Sequence, residues 1–256
     1  GQNYFVGTKF EVVYLHFLLV CLYIAKNKEN GTKNKATILG MLIWTFIVGV
    51  LVECSTGLVG SIILVVLMLV IKNREQLFLN PVLYAVVLAL CFGFIFFCEA
   101  VLNNPTVENF IINILGKNAT MSGRANIYIK VPMLLTSYHA WMTGFGYATS
   151  YELGRKLGGF PDTQNGVLEW IWNAGIPTTI VMLTIFMAIL FLSKRTLTRE
   201  NIRRMFPLVT MLYLLTILGA VEITIAQLYF ALGICIMGVG LSSCNKTEEV
   251  LILLKS

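Results

Sequence analysis

The stretch "DTQNGVLEWIWNAGIP", residues 162–177, opens a long apolar run with polar side chains at regular intervals. Asn165, Glu169 and Asn173 recur every four residues, and residues four apart lie on the same side of a helix. A polar stripe that faced lipid would be costly. We therefore expect this stripe to face the interior of a helix bundle or a cavity.

A purely structural role explains part of the same stretch. Asp162 or Thr163 is expected to cap the helix by accepting hydrogen bonds from its first N–H groups. The stripe residues would then form hydrogen bonds to neighbouring helices. The functional and the structural interpretations are compatible, and we expect each to be partly true.

The composition predicts an all-α integral membrane protein. Hydrophobic residues make up 57% of the 256 positions and charged residues only 12%, whereas soluble domains are about 45–50% apolar and about 25% charged. We interpret residues 1–256 as a single polytopic domain. The six cysteines match neither a disulfide framework nor a metal site.

Hydropathy predicts a helix bundle of about seven spans, since a span requires about 20 apolar residues. The expected spans are 5–25, 36–53, 56–71, 81–102, 166–192, 205–220 and 223–242. Three of their connections, together with the tail from residue 243, carry 13 of the 19 lysines and arginines on one face, and the positive-inside rule makes that face cytoplasmic. Because topology accounts for the basic charge, no nucleic-acid partner is expected.

Residues 103–165 form one long connection on the opposite, external face. Connections are usually about 4–6 residues long. This one contains apolar patches such as "NFIINIL" (109–115), which are typical of helices that lie on a membrane surface. We therefore expect a large, structured external loop with a functional role.

The residue inventory excludes several chemistries. Asp162 is the only aspartate, so there is no aspartate pair to hold a metal–diphosphate complex, and no GxxxxGK[ST] phosphate loop is present. Two histidines cannot form a multi-histidine metal site. We expect no metal and no cofactor. The candidates for binding an anion are Arg124, Lys130, Arg155 and Lys156, with Lys9 approaching from the first span. An arginine fork suits phosphate best, and its sequence context favours Arg124.

Three short motifs carry a resemblance to a known family. "GKNATMSGRANIY" (116–128), "GFGYATSY" (144–151) and "TQNGVLEWIWNAGIP" (163–177) occur in that order. Together they resemble the C-terminal signature of the O-antigen ligase/polymerase superfamily. "YFVGTKFEV" (4–12) and "ECSTGLVGSII" (53–63) look like segments of its capsular and exopolysaccharide repeat-unit polymerases. Members usually have ten or more spans, so the chain is expected to be a C-terminal portion.

The resemblance implies a glycosyltransferase in the plasma (inner) membrane of a bacterium. Such proteins join oligosaccharide repeat units carried on undecaprenyl diphosphate at the outer face, without a metal. The arginine of the Gly-Arg pair binds the diphosphate, which assigns that role to Arg124. The expected partners are the lipid-linked oligosaccharide, the lipid bilayer and other polysaccharide-assembly proteins.

Two positions depart from the family pattern and leave the general base open. Gln164 occupies the place of the ligase histidine, and Thr56 that of a ligase arginine, so the polymerase branch fits better. Gln164 and Asn165 would then bind sugar hydroxyls while Glu169 accepts the proton, because a carboxylate partly removed from water is a better base. Alternatively, His139 supplies the missing imidazole. We favour Glu169.

Two functions of other classes stay open. A transporter or flippase for lipid-linked glycans would also need polar groups inside a bundle, although the paired broken helices typical of transporters are not evident in the sequence. A non-catalytic assembly subunit would explain the loss of the histidine.

Overall fold

The computed structural model describes residues 9–29, 34–102, 104–105, 123–147 and 149–222. Every regular element in these ranges is a helix, which confirms the all-α class. A short π-helical turn spans Gly154–Gly158. The α-helices are α1 (Lys9–Glu29), α2 (Lys35–Leu51), α3 (Ser55–Ile71), α4 (Glu75–Phe78), α5 (Pro81–Leu102), α6 (Arg124–Ser137), α7 (Ser150–Leu153), α8 (Gly166–Thr196) and α9 (Arg199–Leu218).

Three of these helices are long and apolar enough to cross a membrane. The candidate spans are Lys9–Asn27, Gly166–Arg195 and Arg199–Leu218. Shorter apolar helices coincide with three further predicted spans, at Lys35–Leu51, Ser55–Ile71 and Pro81–Phe97. The chain is therefore a membrane protein, and the count of seven spans stays a prediction. The expected span 223–242 lies outside the described residues.

Large apolar side chains remain exposed along these helices. Leu51 is 71% exposed, Leu69 70% and Phe96 76%. In a water-soluble protein such surfaces would be a liability, whereas a bilayer covers them with acyl chains. The expected external loop 103–165 contains α6, α7 and the π-helical turn. Its patch at 109–115 lies outside the described residues, and its side of the membrane stays a prediction.

The chain divides into two compact units. The first comprises residues 1–85, 186–215 and 225–256. In it, α2 and α3 form a tight hairpin, and the Cys54 sulfur caps α3 by accepting from the N–H of Gly57 at 3.3 Å. A Cβ atom added at Gly57 would lie 2.8 Å from the Val13 side chain. This glycine therefore lets α1 and α3 pack closely, as small residues do between membrane helices.

The second unit comprises residues 86–185 and 216–224 and has an aromatic core. The Trp172 ring lies 4.3 Å from the Phe145 ring and 5.5 Å from the Phe160 ring, centroid to centroid. The indole N–H of Trp172 donates to the Ser150 carbonyl at 3.2 Å. This core fixes the start of α8 against the loop that follows α6.

A break in α8 at Gly175 is the second unit's most unusual feature. Gly175 has φ 78° and ψ 171°, a conformation that only glycine adopts readily. The break interrupts the helical hydrogen bonds, and segment 141–146 replaces them. Phe145 and Gly146 donate to the carbonyls of Trp172 and Asn173 at 2.8 and 2.9 Å. The freed backbone groups are thereby satisfied inside the protein, as broken membrane helices require.

We predict that alanine at Gly175 or Gly144 destabilises the protein. The new Cβ would lie 2.3 Å from the Met142 carbonyl oxygen or 2.4 Å from the Ala174 nitrogen, so backbone must move. Gly159→Ala is the matched control, because Gly159 also has positive φ (75°) but faces open space. In the control, Gly159→Ala, the free energy of unfolding should fall by only about 1–2 kcal/mol. Equal losses of melting temperature in all three variants would contradict the close crossing.

Candidate functional site

Asn165 forms the N-cap of α8. Its Oδ1 accepts from the Leu168 N–H at 3.1 Å, and its Nδ2 donates to the carbonyls of Ala220 at 3.2 Å and Cys91 at 3.4 Å. The residue is fully buried. The expectation that Asp162 or Thr163 caps this helix is therefore wrong. Both residues lie in the preceding turn, and Asn165 is the residue directly before Gly166, where α8 begins.

The carboxylate of Glu169 is held from two sides. Its Oε2 accepts from the backbone N–H and from the hydroxyl of Thr163, both at 2.9 Å. Its Oε1 accepts from the Asn173 amide at 3.0 Å, one helical turn further on. Asn165 is buried and the other two stripe residues are partly buried. The polar stripe thus faces protein, as the sequence predicts.

Gln164 and Asp162 form one hydrogen-bonded turn. The Asp162 Oδ1 accepts from the Gln164 N–H at 3.1 Å and also from the Gln164 side-chain amide. The Gln164 carbonyl accepts from the Tyr128 hydroxyl of α6 at 2.9 Å, and Gln164 has a positive φ of 54°. Burial raises the pKa of Asp162, while the bonds from Gln164 and the nearby Arg124 charge oppose that rise.

Arg124 is the first residue of α6 and is only 7% exposed. Its guanidinium lies 3.8 Å from a carboxylate oxygen of Glu222, which is 2% exposed. Its charge also acts on Asp162, and Asp162 acts electrostatically on Glu169. We call these linked residues the polar cluster: Arg124, Asp162, Gln164, Glu169 and Glu222.

The remaining predicted site residues lie elsewhere. His139 is exposed at the end of α6, and no hydrogen bond or ion pair within the described residues joins it to Gln164 or Glu169. Exposed Lys130 donates to the Gly158 carbonyl at 2.9 Å. Lys9 belongs to the first unit and donates to the Glu53 carbonyl at 3.3 Å. Within the second unit, the structure therefore does not join His139 or Lys130 to the cluster.

Two cluster members were missed by the sequence reasoning as functional residues. For Asp162, the sole aspartate, the sequence predicts a helix cap and excludes an aspartate pair, but it does not predict a place in a cluster with Arg124. Glu222 lies in the apolar context "LGAVEITI" (218–225). An acid between two predicted spans is a signal for a functional or paired group, and that signal could have identified Glu222.

The cluster combines two complementary chemistries. A guanidinium donates paired hydrogen bonds to phosphate oxygens, and carboxylates accept hydrogen bonds or protons from sugar hydroxyls. Within the described residues, no three His, Cys, Asp or Glu side chains are placed to hold a metal ion. The cluster can bind a phosphate through its guanidinium and a hydroxyl compound through its carboxylates.

Comparisons of the chain with protein-family models, with curated proteins and with solved structures give no match in any of the three. What the fold itself defines is the class, an all-helical membrane protein with a buried polar cluster. The resemblance to the O-antigen ligase/polymerase superfamily stays a prediction, and it enters below only as support for a proposal.

We predict that Asp162 makes the protein's stability depend on pH. Because burial raises its pKa above the ordinary 3.8, the folded state holds the proton more tightly than the unfolded state. The stabilising contribution is full below pH 3.8 and is lost as the pH rises through the folded-state pKa. Asp162→Asn keeps the acceptor oxygen but cannot ionise. As the pH rises above 3.8, the melting temperature of Asp162→Asn should therefore rise relative to that of the unmodified protein.

Glu152→Gln is the control for this titration, because the Glu152 side chain is 72% exposed and its partner Lys156 is 75% exposed. Its melting temperature should follow that of the unmodified protein across the same pH range. If the difference in melting temperature between Asp162→Asn and the unmodified protein did not change with pH, burial would not raise the pKa of Asp162.

Proposed function

We propose that the chain is a membrane glycosyltransferase that joins oligosaccharide units carried on undecaprenyl diphosphate. It would act at the outer face of a bacterial plasma membrane and lengthen a surface polysaccharide. The observation that carries this proposal is the burial of Arg124 in one cluster with Asp162 and Glu169. The motifs around Arg124 and Gln164 support the same substrate class.

The proposed reaction requires one bond to form and one to break. The acceptor hydroxyl oxygen attacks the anomeric carbon of the donor sugar, and the bond from that carbon to the diphosphate oxygen breaks. The hydroxyl proton passes to Glu169, and undecaprenyl diphosphate leaves with the bonding electrons. Charge that develops on the leaving group is stabilised by Arg124, since fixed donors are most effective where charge appears.

Arg124 would exchange one partner for another during this reaction. At 3.8 Å, its contact with Glu222 is longer than the about 2.7–2.9 Å of a charge-assisted hydrogen bond. A diphosphate offers two anionic groups in the geometry that the planar guanidinium fork matches. A bound diphosphate would therefore give the guanidinium tighter hydrogen bonds than its contact with Glu222.

Glu169 is better placed than the alternatives to serve as the base. Thr163 and Asn173 both donate to it, so its carboxylate is fixed in orientation. Each carboxylate oxygen can accept further hydrogen bonds, including one from a substrate hydroxyl. The Gln164 amide cannot accept a proton at neutral pH. Its bond to Asp162 suits it to hold the turn and to orient sugar hydroxyls instead.

A transporter of lipid-linked glycans is the second candidate, favoured by the break in α8 at Gly175. Broken helices at membrane depth often line the substrate sites of transporters. The two functions differ in their products. A transporter moves the donor intact across a vesicle membrane, whereas the transferase converts it to longer glycans and free undecaprenyl diphosphate.

We predict that Arg124→Ala reduces chain extension about a hundredfold or more. A hydrogen bond to a charged group contributes about 1.5–3 kcal/mol, and a paired contact contains two. Arg124→Lys keeps the charge but loses the fork, so its rate should lie between that of Arg124→Ala and that of the unmodified protein. The measurement is the rate at which lipid-linked repeat units form longer glycans. Exposed Arg195, which lies over the Phe191 ring, gives the control Arg195→Ala. Equal rates in all variants would show that Arg124 takes no part in the reaction.

We predict that Glu169→Gln abolishes extension while the donor still binds. Glutamine can still accept from Thr163, but it cannot take the acceptor proton. His139→Ala should have a mild effect, because His139 is exposed and lies outside the polar cluster. Both rates and donor affinities should be measured on the full chain. An inactive His139→Ala variant beside an active Glu169→Gln variant would reverse the assignment of the base.

A further inference from the structure

A cavity of about 320 Å³ lies in the first unit, beside the turn that follows α3 and the start of α9. Its volume falls at the lower end of the about 300–1,000 Å³ that ligand pockets have. Its lining is mostly polar and charged, and contains Asn73, Arg74, Glu75, Gln76, Leu77, Arg199, Ile202 and Arg203. Nothing in the proposed transfer reaction uses these residues.

Three arginines make the cavity positive. Arg74, Arg199 and Arg203 all line it and are all exposed to solvent. The one acidic lining residue, Glu75, is 6% exposed, and its carboxylate accepts from the N–H of Asn73 at 3.1 Å. The lining therefore carries three positive charges and one negative charge, and the Glu75 carboxylate is hydrogen-bonded to the backbone.

The neighbouring acid on α9, Glu200, has a partner outside the cavity lining. Glu200 pairs with Arg204, one helical turn along α9, and Arg204 does not line the cavity. The other charged groups close by in the sequence are Lys72, Lys194 and Arg195, which are basic and exposed. None of these three residues lines the cavity.

We propose that this cavity binds the phosphate of an anionic lipid headgroup. Arg199 is the first residue of α9, which is a candidate membrane span, so the cavity lies at the end of a span. Lipid headgroups lie at that level of the membrane. Arginine forks match phosphate oxygens, and basic pockets at the ends of membrane helices bind such headgroups.

An apolar neighbour favours a lipid over a free phosphate compound. Leu77 lines the same cavity and is 53% exposed. A headgroup in the cavity would bring the upper part of its acyl chains against such a side chain, whereas a soluble phosphate would leave it in water. The affinity of the cavity for a lipid should therefore exceed its affinity for a soluble phosphate compound, and this difference distinguishes the two ligands.

The test is a titration of the purified full chain in neutral detergent micelles, followed by native mass spectrometry. One arm uses dioleoyl phosphatidylglycerol and the other uses glycerol 3-phosphate. The triple variant Arg74→Gln, Arg199→Gln, Arg203→Gln should bind the lipid about a hundredfold more weakly, at about fivefold for each basic residue lost. The same triple change to lysine should weaken binding about tenfold, because charge remains while the forks are lost.

The matched control is the triple variant Lys72→Gln, Lys194→Gln, Arg195→Gln. It removes the same charge from exposed residues that do not line the cavity, so its lipid affinity should stay within about twofold. Equal weakening in the control would show diffuse surface attraction and overturn the site. Glycerol 3-phosphate that binds as tightly as the lipid would overturn the assignment to a headgroup. If the glutamine variant does not fold, unchanged affinity in the lysine variant overturns the proposal by itself.

Discussion

The second unit depends on one constraint: polar groups removed from water must find partners inside the protein. Nothing in a bilayer interior replaces a lost hydrogen bond. The first half of α8 meets this constraint at both ends. Asn165 caps its start and also bonds to the carbonyls of Ala220 and Cys91. Segment 141–146 satisfies the carbonyls freed at the Gly175 break.

The same constraint assembles the polar cluster. A buried guanidinium is tolerated only beside an opposite charge, and Arg124 lies beside Glu222. A carboxylate on a partly buried helix face likewise needs donors, and Glu169 has Thr163 and Asn173. These contacts hold the side chains in fixed positions, and such preorganisation is what the proposed electrostatic catalysis would require. Under the proposed function, the residues that satisfy the buried polar groups are also those that bind the substrate.

Periodicity and hydropathy predicted the features that depend on local sequence. They identified the helical class, the positions of six apolar helices and the stripe formed by Asn165, Glu169 and Asn173. They did not reveal that Asn165 rather than Asp162 or Thr163 caps α8, because a cap depends on where the chain turns. The Gly175 break and the Arg124–Glu222 pair were also missed. The Arg124–Glu222 pair joins segments distant in sequence, which a pattern along one segment does not encode. The break, by contrast, lies beside Gly175 and Pro177, two helix breakers that the sequence does contain.

Whether the chain itself transfers glycosyl groups can be measured directly. The full chain, reconstituted in vesicles, would be given an undecaprenyl-diphosphate-linked oligosaccharide in the presence of EDTA. A glycosyltransferase should produce a ladder of longer glycans, with one undecaprenyl diphosphate released for each new glycosidic bond. An unchanged donor, or a donor that crosses the membrane without being extended, would contradict the proposed transfer.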